Sequence, residues 1–255
     1  MADYNNPIAR SRTDAAFAVD AGLRAYMLRV YNYMLAGLAV TGIASYATFA
    51  LAVTTDPGRA AASLRNGVML TGFGATLFGP LMWVLMLGSL GLVMFLSFRI
   101  GQMSLAAARA AFLGYSALLG VTLSSIFIVY TYSSIAEVFF ITAATFGAMS
   151  LWGYTTRSDL TGFGSFLFMG LIGIVIASLV NLFLHSAMMT FVISVIGVLV
   201  FTGLTAHDTQ SIKEMYVVGD DGTVAGRKAI FGALRLYLDF VNLFLMILRL
   251  MGNRR

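Results

Sequence analysis

The chain of 255 residues has no cysteine, three prolines and few charges. Without cysteine there is no disulfide, no thiolate nucleophile and no thiolate-ligated metal. Charged residues make up 11% and hydrophobic residues 59%. A soluble domain carries ~25% charged residues, so a water-soluble fold with a polar shell is excluded. Short alternating segments of the kind that build a transmembrane β-barrel are also missing. What remains are long unbroken apolar runs, and in lipid such runs must be helical to satisfy their own backbone groups. The fold class is an all-α integral membrane protein.

Several kinds of chemistry lack their residues. No P-loop is present, which argues against a primary ATP-driven pump, and no HExxH or paired His/Cys spacing suggests zinc. The two histidines, His185 and His207, fall at opposite membrane faces, so a serine–histidine dyad has no frame. Two aspartates in apolar runs raise an intramembrane aspartyl protease, but Asp208 lies in AHDTQ and Asp239 in YLDFV, without that class's glycine-flanked motif. No catalytic residue is therefore assigned. The net charge of +5 is spread over termini and short loops, which calls for no nucleic acid. Residues 1–29 mix acidic and basic side chains with no apolar core before Val30, so no cleavable signal peptide is expected. The fifteen methionines form no Met-x-Met cluster and read as packing filler.

Seven runs are long enough to span a bilayer: 30–53, 77–98, 110–130, 134–155, 162–184, 188–211 and 229–251. They form one transmembrane domain, 30–251, between a cytoplasmic tail (1–29) and a short C-terminal tail (252–255). Pro80 reads as an early-turn residue of the second span, placing the preceding GFGATLFG outside or in the interface. With the N-terminus inside, ten Lys and Arg residues fall on the cytoplasmic side and five outside. The positive-inside rule thus favours the N-terminus in the cytoplasm and the C-terminus outside. Three of the five outer cations, Arg249, Arg254 and Arg255, pull against that rule and leave open a seventh segment that turns back.

Asp239 lies near the middle of its run, where a charge costs at least ~2.5–3.5 kcal/mol, so it is read as functional. With helix six leaving the membrane near Met215 and helix seven entering near Lys228, Asp208 lies ~10 Å and Asp239 ~16 Å in from one surface. Neighbouring helices pack ~8–10 Å apart, so two inward-facing aspartates could share a proton. Asp208 also reads as a plain helix-end polar group. Arg235, four residues before Asp239, could form an intrahelical ion pair with it or snorkel to the cytoplasmic face. Arg99 reads equally as a cytoplasmic anchor of the second span. His207 is rotated ~100° from Asp208 on a helix and is expected to face elsewhere. Glu137 is expected to reach the outer interface, and His185 a solvated outer turn.

The stretches LSFRIGQMS, SSIFIVYTYSSIAEVFFITAATFGAMSLWGYTTRSDLTGFGSFLFMGLIG, SVIGVLVFTGLTAHDTQSIKEMY and GALRLYLDFVNLFLMILRLMG resemble the Bax inhibitor-1, or transmembrane Bax-inhibitor-motif, family and in particular its bacterial members. The resemblance covers roughly residues 90–251. It implies seven helices, six surrounding a central C-terminal one, in the bacterial plasma (inner) membrane. It also implies a pH-sensitive calcium leak closed by an aspartate pair on the last two helices, here Asp208 and Asp239, which would also contact the passing calcium. An arginine near the end of the second helix latches the sixth-helix aspartate in the family. Arg99 is the candidate by position, with Arg235 as the second latch candidate. His207 stands where the resemblance leads one to expect tyrosine.

The leading expectation is a passive calcium leak gated by protons, with no bound cofactor and calcium as the permeant ion. The alternative is a regulatory membrane protein that binds and modulates a membrane-bound quality-control protease or a stress or cell-death factor. A proton-coupled transporter is the third.

Overall fold

The computed structural model describes residues 7–64 and 67–254, with side chains from residue 21 onward. The side chains of Arg10 and Arg12, and residues Arg65 and Arg255, counted above for orientation, lie outside this range. Seven long helices dominate: α1 (Pro7–Ala52), α2 (Gly72–Gln102), α3 (Leu105–Val129), α4 (Tyr132–Thr155), α5 (Thr161–Leu184), α6 (Ala187–Glu214) and α7 (Gly222–Met251). All seven are long and apolar enough to cross a membrane. The helices reach beyond the expected spans, because capping residues rather than the end of the apolar run decide where they start. Ser104, Thr131, Ser186 and Asp221 each accept backbone N–H groups at the first turn of α3, α4, α6 and α7. From residue 7 the tail assigned to 1–29 is already part of α1.

The structure bears on two points that the sequence left open. GFGATLFG is helical and continuous with α2, its first turn capped by Thr71. Pro80 stands inside this helix, and the break falls at Gly79, whose backbone leaves the helical region (φ −92°, ψ −137°). Proline disfavours helical geometry in the residue before it, and glycine accepts the alternative. The seventh segment does not turn back. After α7 the chain is held at the α3–α4 turn, where Thr131 N–H donates to Asn253 O (3.1 Å) and Asn253 N–H to Ser134 Oγ (2.9 Å). Three two-residue strands, β1 (Val53–Thr54), β2 (Ala62–Ser63) and β3 (Met69–Leu70), link α1 to α2, with β3 in the middle.

The core is built around α7. In its most apolar stretch 72% of residues are buried, against at most 39% in any other span. It packs mainly on α1, α3, α4 and α6, whereas α2 and α5 sit at the periphery on α3 and α6. Tyr237, fully buried on α7, ties three helices together. Its hydroxyl is 2.7 Å from Thr41 Oγ1 of α1, which in turn donates to Ser116 O of α3 (2.9 Å). On the other flank α4 and α6 touch backbone to backbone, since a Cβ on Gly153 would overlap Ala206 O. A chain of hydroxyls, Tyr31 to Ser150 (2.6 Å) and Ser150 to Thr209 (2.9 Å), joins α1, α4 and α6.

Candidate functional site

The loop between α6 and α7 fixes how the two helices face each other. Lys228 bonds Asp220 (2.6 Å) and Met215 O (3.1 Å), drawing the start of α7 onto the end of α6. Gln210 of α6 holds the turn before α5, accepting from Leu160 N–H (2.9 Å) and donating to Ser158 O (2.8 Å). Three helices thus converge on one cleft of about 570 Å³. Thr161, Ser165, His207, Asp208, Arg235 and Asp239 supply most of its polar lining.

Asp208, buried on α6, is gripped by Arg235 of α7. Nη2 donates to Oδ1 at 2.6 Å and Nε to Oδ2 at 3.1 Å. Such a two-pronged, charge-assisted pair is both strong and directional. Arg235 Nη1 adds a bond to Ser211 Oγ at 3.2 Å. His207 Nδ1 lies 2.9 Å from the same Asp208 Oδ1. An ionised carboxylate only accepts, so Nδ1 carries the proton in this contact. The His207 ring rests on α5 at Gly164, where any Cβ would overlap it.

Asp239 lies one helical turn deeper on α7 and is also buried, with an Oδ2 that has no hydrogen-bond partner. Arg235 and Asp208 neutralise each other, so Asp239 is the surplus acidic group of the cleft. No titratable side chain of α5 lines it.

The structure therefore brings both aspartates to one cleft but rearranges their partners. No hydrogen bond joins Asp208 to Asp239, and Arg235 makes no ion pair with Asp239. The reason is depth. By the 1.5 Å rise that puts Asp239 ~16 Å from the surface, Arg235 lies ~10 Å in, level with Asp208. That arithmetic was available in the sequence and identifies the partner. Nor does Arg235 snorkel away. Arg99 is exposed and donates to Gln102 (2.8 Å), with no ion pair to Asp208 among the described residues. His207 does face Asp208, against expectation, because neighbouring side chains can meet by torsion about their own bonds even when their Cα–Cβ directions diverge. Ser211 and Gly164 carried no signal in the sequence. Glu137 and His185 are exposed at the opposite face. No group of three or more His, Asp or Glu residues gathers into a metal site among the described residues.

A profile described as inhibitor of apoptosis-promoting Bax1 matches residues 23–255. The chain belongs to the Bax inhibitor-1 family. Three of its relatives match over all or nearly all of both chains. An Escherichia coli K12 protein named inner membrane protein YbhL is 48% identical, over 96% of this chain and 98% of its own. An uncharacterized protein of Rickettsia prowazekii is 43% identical over the whole of both chains. Another, of Caulobacter vibrioides, is 41% identical, again over the whole of both. In this family member the guanidinium on the sixth-helix aspartate comes from α7, not from the end of α2.

Proposed function

We propose that this chain is a pH-sensitive calcium leak of a bacterial inner membrane, gated where Arg235 clamps Asp208. The observation that carries the reading is a charge pair at one end of a cleft whose deeper, buried carboxylate, Asp239, keeps an oxygen without a partner. Burying a lone carboxylate is costly unless it takes up a proton or a cation visits it, and calcium prefers hard oxygen ligands. The relative named as an inner membrane protein supports the location. The ten-to-five asymmetry of Lys and Arg supports a cytoplasmic N-terminus, and so a gate on the cytoplasmic side.

The proposed cycle follows from charge. While Asp208 is ionised it holds Arg235 and the path is closed. Protonating Asp208 removes the attraction and frees the guanidinium. With Arg235 withdrawn the two aspartates face each other across the cleft, and their repulsion favours one proton between them. The groups that bear on Asp208 are His207 on its own helix and Arg235 and Asp239 on α7.

The test is calcium flux against pH into dye-loaded liposomes containing only this protein. Wild-type flux is expected to rise as pH falls, and Asp208→Asn flux to be high and nearly independent of pH. A folded wild type that passes no calcium at any pH overturns the leak and leaves a regulator of another membrane protein.

A further inference from the structure

The end of the bundle away from the aspartates holds a second polar cluster that the leak does not use. Arg249 in the last turn of α7 and Arg254 beyond it line a cleft of about 420 Å³ with Asn181, Leu182, His185 and Phe191. No carboxylate lines this cleft, and neither arginine makes an ion pair among the described residues. Arg254 is not on a loose tail: it is bridged to Tyr130, and the residue before it is hydrogen-bonded on both sides. The polar wall is also built. Asn181 accepts from Ser186 N–H (3.0 Å) and donates to Thr190 Oγ1 (2.8 Å), and His185 turns the chain in the left-handed region (φ 50°).

These cations oppose the rest of the charge distribution, standing at the membrane face that the positive-inside rule keeps poor in Lys and Arg. Two guanidiniums without acidic partners among the described residues, on one cleft with an imidazole, are matched to a phosphate group, which their planar forks can bind in two-pronged fashion. The last turn of a spanning helix lies at headgroup depth. Leu182 and Phe191, both more than half exposed at the same cleft, offer an apolar wall for an acyl chain.

We propose that this cleft binds the phosphate of an anionic phospholipid in the leaflet at the C-terminal end of α7. The assignment does not depend on calcium leak. The test is native mass spectrometry of the purified protein offered phosphatidylglycerol or phosphatidylcholine of equal chain length, with and without inorganic phosphate. Two cations near an anionic headgroup should favour phosphatidylglycerol by on the order of tenfold. The Arg249→Gln, Arg254→Gln double variant should lose that preference, and the corresponding Lys pair should keep part of it. Should the double variant fail to fold, Arg254→Gln alone, placed beyond the helix, should reduce the preference in a protein with unchanged melting temperature. Equal retention of both lipids, or an unaltered preference in the glutamine variants, overturns the site. Full displacement of lipid by inorganic phosphate overturns the lipid assignment in favour of a soluble phosphate ester.

Discussion

Arg235 of α7 reaches both carboxylate oxygens of Asp208 on α6, at 2.6 and 3.1 Å, because the two residues lie level on antiparallel neighbours. The pair spans the narrow junction between the last two helices, and its side chains are 28% and 10% exposed. Partial exposure leaves it open to protons while keeping it shielded enough to matter.

Removing that guanidinium should open the path. Arg235→Gln is expected to raise calcium flux at neutral pH and to flatten its pH response. Leaving one partner of a buried pair unmatched costs up to ~3–5 kcal/mol, and water access at this cleft should put the loss of stability at or below the lower end. Arg99→Ala should behave as wild type in both respects, since its partner is Gln102. Flux measured on the two variants at equal incorporation separates the two latch candidates; a leaky Arg99→Ala with a silent Arg235→Gln would reverse the assignment.

Asp239 should govern conduction more than gating. Asp239→Asn keeps the shape and removes the charge, so flux should fall while a residual dependence on pH survives through Asp208. In the double variant Asp208→Asn, Asp239→Asn the path is open but lacks its inner carboxylate, so flux should lie below that of Asp208→Asn alone. Distant sites usually add within ~0.3–0.5 kcal/mol, and these two share a cleft, so their effects should not add. Undiminished flux in Asp239→Asn would remove it from the ion path.

Asp221 caps α7 outside the membrane, accepting from Thr223 N–H (2.8 Å) and Val224 N–H (2.7 Å). The bonds from Val224 and then Thr223 hold its carboxyl below the ordinary aspartate range, with Arg227 adding to the effect. A depressed native pKa gives stability that is present above the unfolded pKa and lost as pH falls through the native one. Asp221→Ala should therefore melt earlier than wild type at neutral pH, and the gap should shrink under acid. Melting curves of both proteins in detergent from neutral to strongly acidic pH check this; a gap that persists in acid would mean that the cap acts without its charge.

Orientation can be read with fusions. Reporters in the α2–α3 and α6–α7 turns should be cytoplasmic, and one in the segment between α1 and α2 should be outside. Alkaline phosphatase activity from the α6–α7 turn would invert the protein and move the Asp208 gate to the outer face.

Much of this protein was determined by sequence alone. Apolar runs of bilayer length leave the backbone no alternative to helix, so the number of spans followed directly. The cost of an ionisable group in lipid drew attention to Asp208 and Asp239 before any neighbour was known. Only the tertiary structure decided which groups meet. Helix rotation and depth are set by contacts such as Gly153 on Ala206 and Lys228 on Asp220, formed between segments distant along the chain or across a loop. Those contacts give Asp208 to Arg235, turn His207 onto it and leave Asp239 alone. The bonds that hold the chain after α7 at the α3–α4 turn likewise place Arg254 on one cleft with His185, two groups that no local pattern relates. Periodicity and hydropathy describe one helix at a time, whereas pairing is a property of two helices at a fixed offset, and that offset arises only in packing.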